Sequence, residues 1–288
     1  MDAVPLTQPP EVTYPVNKTA EGSKLCPSIQ KFIAMLRRLL PLHSPSSFSR
    51  NIIQVRNLHR LNRLPFPASE GISPFLSPAA VRVLWEEHQQ GLLERLNQLV
   101  VGTDLEHASV FELVTTLAEN PLRANVFNVA SQAWNNEFFL RSLTSSPARA
   151  IRFDLQKRIT EDFGGIEELK AKFTDEALSL CGSGFVFLVE SPAGKLDILT
   201  TYNGGTPHRP WRTQATDPNT KALSSASIHH PPQHANSYIP LLGLSVWEHA
   251  YLTDYGVRGK EDYVKKFWEA VDWERVYFRV PKQDISSQ

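Results

Sequence analysis

The sequence predicts an α+β fold: a long N-terminal α-helical hairpin, then a three-stranded antiparallel sheet with helices around it. Three observations predict it. Two long stretches, 77–102 and 121–143, carry apolar residues at helical spacing and are joined by a modest connection. Three short β-rich runs come later: Phe185-Val186-Phe187-Leu188-Val189, Leu196-Asp197-Ile198-Leu199-Thr200 and the segment 241–246. Helices first and strands afterwards is the order of an α+β layout, not of alternating strand–helix units.

The first helix is expected to start at Ser77-Pro78, because serine suits the N-cap and proline the first helical position. Val81, Leu84, Trp85, His88, Leu92, Leu96 and Val100 then recur at three- and four-residue steps, and Gly102 ends the run. A short helix is expected over 110–118. The second long helix, 121–143, has Val126, Phe127, Ala130, Trp134, Phe138 and Leu140 among its apolar positions. Ser145-Ser146-Pro147 punctuates the chain and marks the expected boundary between a helical hairpin domain, 65–146, and an α+β C-terminal domain, 147–288. Two helices follow, about 148–162 and 166–180, separated by Gly164-Gly165. The turn Pro192-Ala193-Gly194 makes the first two strands a hairpin. Residues 206–238 are dense in Pro, Ser, His and Thr without periodicity, and read as a long surface insertion. A last helix carries Tyr263-Val264-Lys265-Lys266-Phe267-Trp268.

Composition bounds the function. Hydrophobic residues make up 41% and charged residues 21%, enough apolar side chain for a core. The zero net charge hides an asymmetry. Residues 1–69 hold three acids and nine bases, so 27 acids face 21 bases in the remainder, a charge of −6. An acidic body is a poor polyanion ligand, because nucleic-acid affinity comes mainly from neutralising phosphates. Cys26 and Cys181 make neither a disulfide framework nor a zinc knuckle, and point to a reducing compartment. No run of about 18 apolar residues occurs.

No acid lies between Glu21 and Glu70, and a segment rich in Arg, Leu and Ser runs from Met35-Leu36-Arg37-Arg38-Leu39-Leu40 to Arg63. Arginines spaced among leucines give a helix with one cationic and one apolar face, the composition of a mitochondrial transit peptide. A basic tail that stays on the protein and touches RNA is the competing reading. Residues 1–64 are therefore set apart as a targeting or disordered segment. Met35 suits a presequence start better than Met1, which would make 1–34 an upstream extension.

Several motifs remain: Phe127-Asn128 through Ala130, Gln132, Trp134 and Asn135; Phe163-Gly164 with Glu167-Glu168 and Phe173; Gly182-Ser183-Gly184; Asn203-Gly204-Gly205; Pro240-Leu241-Leu242-Gly243; Val246-Trp247-Glu248-His249-Ala250-Tyr251; Phe267-Trp268; and Trp273. Their order resembles the iron/manganese superoxide dismutases, and the resemblance covers roughly residues 72–275. That family holds one redox metal with three histidines and an aspartate. The resemblance puts the first histidine position at Leu84, the second at Asn136 in Trp134-Asn135-Asn136, and the aspartate at Ser245. Only the last histidine is kept, as His249. A gateway tyrosine position reads Leu92, and Gln132 matches a glutamine beside the metal-bound water. Iron or manganese needs several strong N/O donors in fixed geometry. Leu84 offers none, and Asn136 and Ser245 are neutral, so the expectation is no metal and no other cofactor.

The family's glutamate at Glu248 reaches across a dimer interface, and His88 matches a histidine at the mouth of the site. Glu248, His249 and His88 are thus the expected partner interface, against the plainer reading that Trp247-Glu248-His249 only satisfies local packing. A family tyrosine that also crosses the interface is replaced by Leu252. Two further features carry less. His229, His230 and His234 could bind a metal by composition, but they sit in the insertion. Ser183 resembles a nucleophile turn but precedes a strand and lacks an assembled His/Asp set.

A dismutase frame with a mitochondrial address and a degenerate metal site resembles the dismutase-derived proteins of the mitochondrial small ribosomal subunit. The resemblance implies a non-enzymatic, structural subunit in the matrix that supports mitochondrial translation. Its implied partners are a second dismutase-like chain, in a heterodimer or homodimer, and other small-subunit proteins, with limited rRNA contact and no membrane. Two alternatives stay open: an active iron/manganese superoxide dismutase, or a free matrix pseudoenzyme binding another protein.

Overall fold

A computed structural model describes residues 59–146, 150–208 and 238–281. The expected targeting segment up to residue 58, most of the expected insertion and its histidine cluster lie outside the described residues. From residue 59 onward the described chain belongs to one compact unit.

The first hairpin helix starts at Ser77, whose hydroxyl accepts the Ala80 N–H, with Pro78 in the first helical position. It is built in three continuous pieces: α1 (Pro78–Arg82), a π-helical stretch (Val83–Gln89) and α2 (Gln90–Val100). The regular periodicity expected here slips by one residue in the π-helical stretch. Inward positions therefore run Val81, Leu84, Trp85, Gln89, Leu93, Leu96 and Val100, while His88 and Leu92 are only half-buried.

Next comes α3 (Val110–Leu117), started by a reciprocal capping box between Ser109 and Glu112. A 3₁₀ turn at Pro121–Arg123 leads into α4 (Ala124–Leu140), the second hairpin helix. The helix expected from 148 begins later, as α5 (Phe153–Phe163), because Arg152 still has extended backbone. It stops at Gly164, whose φ of 96° suits glycine. Glu167 and Glu168 lie in the first turn of α6 (Ile166–Ser179), where the helix dipole favours negative charge.

The sheet holds β1 (Gly184–Glu190), β2 (Leu196–Tyr202) and β3 (Ile239–Ser245) in the order β2-β1-β3, antiparallel throughout. The central strand β1 is buried along its whole length, which is why it reads as an unbroken apolar run. Val186 and Leu188 join the main core, while Phe185, Phe187 and Val189 face Trp134, Phe138 and Trp247. Edge strand β3 takes Pro240 beside the register shift at Leu188/Val189, one of the few sheet positions that tolerate proline. At Gly243 an added Cβ would lie 3.1 Å from the rings of Phe138 and Phe187, so the sheet meets α4 through a glycine.

Three helices complete the chain: α7 (Glu248–Tyr255), α8 (Lys260–Ala270) and α9 (Trp273–Arg279). Sequence periodicity delimits only α8, because α7 and α9 span about two turns each.

Across the expected division at 146/147 the core is shared: Leu84, Phe139 and Leu140 of the hairpin join one cluster with Val186, Phe173 and Phe267. Two other expected boundaries move. The targeting segment was expected to run to residue 64, yet Leu64 is buried and Leu61 packs against the same core. Asn97 fixes that stretch, accepting from the His59 N–H at 2.9 Å and donating to its carbonyl at 3.0 Å. The insertion, expected over 206–238, is narrower as well. Thr206 is fully buried, and Tyr238 packs on the β1 aromatic cluster.

Candidate functional site

Leu84 and Asn136 come together across the hairpin. Asn136 Nδ2 donates to the Leu84 carbonyl at 3.0 Å and to Gln89 Oε1 at 2.9 Å. Gln89 Nε2 donates in turn to the Ala133 carbonyl at 3.0 Å. Backbone carbonyls only accept, so both amide groups are fixed in orientation: each NH₂ must face its carbonyl. Leu84 and Gln89 have no exposed surface and Asn136 has 1%. Apolar spacing did not point to Gln89, because a glutamine beside His88 reads as a flanking polar residue. The signal that could have found it is Asn136 itself, since a buried amide needs hydrogen-bond partners on the opposing helix.

Ser245 ends β3 and is 1% exposed. Its carbonyl accepts from the Tyr263 hydroxyl at 2.8 Å, and its own Oγ is buried without a partner among the described residues. Burial holds the Tyr263 phenol well above its ordinary range, so it stays protonated as a donor.

Two residues beyond β3, Trp247 caps α7, which carries Glu248 and His249 in its first turn. The His249 ring lies 4.2 Å from that of His88 and 5.4 Å from Trp247. Burial, with His88 as a like-charged neighbour, lowers the His249 pKa to about 4, and burial lowers that of His88 too. Both imidazoles are therefore neutral at pH 7. Glu248 is exposed and makes no hydrogen bond or ion pair among the described residues. The structure thus joins His88 and His249 in one contact, with Glu248 beside them at the surface.

The donor set does not fit the iron or manganese that the resemblance implies. Leu84 presents hydrocarbon, Asn136 offers only a neutral amide oxygen, buried without a hydrogen-bond partner among the described residues, and Ser245 offers a neutral hydroxyl. His249 is the sole imidazole at the four ligand positions, and no anionic donor stands among them. Among the described residues no three His, Cys, Asp or Glu side chains converge. Gln132 donates to Asn128 O on its own helix, and Leu92 stands half-buried where the gateway tyrosine is expected. Asn135 donates to the Gly205 carbonyl at 2.6 Å, so this motif pair anchors the β2 exit to α4. The Ser183 carbonyl accepts from the Asn203 N–H, a turn contact.

Residues 151–216 and 209–279 match the family described as iron/manganese superoxide dismutases, C-terminal domain. Small ribosomal subunit protein mS43 of Schizosaccharomyces pombe is 30% identical over 236 residues, covering 79% of this chain and 87% of that protein. Superoxide dismutase [Fe] of Salmonella typhimurium is 34% identical over 216 residues, covering 75% of this chain and 95% of that enzyme. The Escherichia coli K12 superoxide dismutase [Fe] is 32% identical over the same length.

Proposed function

Since this chain belongs to the iron/manganese superoxide dismutase family, we propose that it is a structural constituent of the mitochondrial small ribosomal subunit, built on the dismutase frame without its redox centre. The donor set at Leu84, Asn136, Ser245 and His249 carries the reading. A metal site needs several strong donors in fixed geometry, and three of these four positions supply apolar or neutral groups. The similarity to a small ribosomal subunit protein over 87% of that protein's length supplies the direction.

In this role the chain acts by presenting surface. Glu248, His249 and His88 form the partner face, and the partner is a second dismutase-like chain. Other small-subunit proteins surround the pair. The −6 charge of residues 70–288 favours protein contacts over extensive contact with rRNA. The location is the mitochondrial matrix, on the ribosome. No helix among the described residues is long and apolar enough to cross a membrane.

Gradient sedimentation of mitochondrial lysate tests this directly. The chain should travel with the small subunit. Recovery only at the top of the gradient would refute the ribosomal role and favour a free matrix pseudoenzyme. The similarity to iron superoxide dismutases favours a second reading, an active enzyme. Metal analysis of the purified protein with a superoxide-consumption assay separates the two. Neither stoichiometric iron or manganese nor activity is expected, and finding both would establish the enzyme.

A further inference from the structure

We infer that Gln89 and Asn136 form a hydrogen-bonded crosslink that replaces the metal as the tie between the two hairpin helices and holds the π-helical turn in place. A metal in this frame would join the first hairpin helix to the second through side chains at positions 84 and 136. Here the same two positions are joined by a hydrogen bond from the Asn136 amide to the Leu84 carbonyl. The link is closed by the contact of Asn136 with Gln89 and by the return bond from Gln89 to Ala133. Each helix thus gives one amide side chain and one backbone carbonyl, with two bonds donated from the second hairpin helix and one returned from the first.

The π-helical turn and the crosslink require each other. An α-helical continuation from Leu84 would place the next inward residue at position 88, as the sequence periodicity anticipates. The extra residue in the turn brings Gln89 inward and leaves His88 half-buried against His249. A fully buried glutamine side chain is tolerated only when its polar atoms are paired. Asn136 and Ala133 supply that pairing, and without them the inward register at Gln89 loses its reason. Gln89 and Asn136 are therefore positioning residues. The inference rests on the reading that the redox centre is lost but needs no ribosome and no partner, so the substitution cycle can fail while sedimentation and metal analysis hold, and the reverse.

The test is a double-substitution cycle on the full chain, read by thermal unfolding and by native-state hydrogen exchange. Gln89→Met and Asn136→Leu keep approximate volume and remove one amide each. Either alone leaves buried polar groups without partners and should lower Tm by roughly 2–10 °C. Exchange of the amides over 83–90 should rise at least ~10-fold in either single variant. The double variant removes both amides together and should lose no more than the worse single variant. Losses that simply add would overturn the crosslink, as would unchanged exchange over 83–90. If a single variant does not fold, the double variant decides: a cooperative melt supports the crosslink, and failure to fold overturns it. Native protein is also melted with EDTA and with added Mn²⁺. Shifts below about 1 °C are expected, since a ligand bound to the native state would raise Tm. A fall of several degrees in EDTA would show that a metal still makes the tie.

Discussion

His249 is the one imidazole among the four positions where the resemblance puts metal ligands, and its environment keeps it neutral. Burial beside His88 and Trp247 lowers its pKa to about 4 from the ordinary 6.5. In the unfolded chain the ring takes up a proton near pH 6.5, whereas the folded protein refuses it until about pH 4. The unfolded state binds more protons across that window, so stability is full above pH 6.5 and falls as pH drops towards 4. The ring is partly exposed, which brings the loss down to about 1–2 kcal/mol. Thermal melts between pH 7 and pH 4.5 should show Tm declining, with a shallower decline in His249→Gln. Identical pH slopes in the two proteins would mean that other groups carry the effect; His88 shifts in the same direction. The burial of Leu84 within the hairpin is legible in sequence because it falls on the apolar helical spacing. The Gln89 contact is not, because it depends on a one-residue slip of helical phase that apolar spacing cannot register.

Among the elements, α7 decides where the histidine pair sits, and its far end is fastened to the first hairpin helix. Both Asp254 carboxylate oxygens accept from Ser77, one from its N–H and one from its hydroxyl. The Tyr255 hydroxyl donates to the Phe75 carbonyl just before that helix. The Ser77 cap is therefore held by a residue 177 positions away in the chain. Asp254→Ala should cost about 1 kcal/mol, the usual scale for a lost cap, and shift Tm by roughly 2–4 °C. Added to Ser77→Ala it should cost little more, since both substitutions break one unit. Full additivity in urea melts would dissolve that link. The strands and the hairpin could be read from sequence because their apolar patterns repeat over enough residues. The short α7 and α9 could not, and their ends are set by long-range contacts. Arg279 in α9 shows this: it donates to Ser142 Oγ and the Leu241 carbonyl while stacking 4.0 Å from the Phe138 ring centre.

At the scale of the whole molecule, the surface proposed as the partner face borders the core at α7. One apolar cluster joins hairpin, sheet and C-terminal helices, and α7 enters it through Ala250 and Tyr251 while Glu248 stays at the surface. Glu248 lies exposed on that surface with no hydrogen bond or ion pair among the described residues, and Leu252 follows one turn later with 37% exposure. An exposed carboxylate with no internal partner contributes little to the fold, typically within about 0.5 kcal/mol. Buried against another chain and paired there, it is worth about 2–5 kcal/mol when truncated. Glu248→Ala should therefore leave Tm within about 2 °C of native. The fraction of chain recovered with the small subunit in gradients should drop at least ~10-fold. A variant that sediments as native would place the partner elsewhere on the surface. One that melts well below native would show that Glu248 serves its own fold, and that its retention beside His249 reflects local packing.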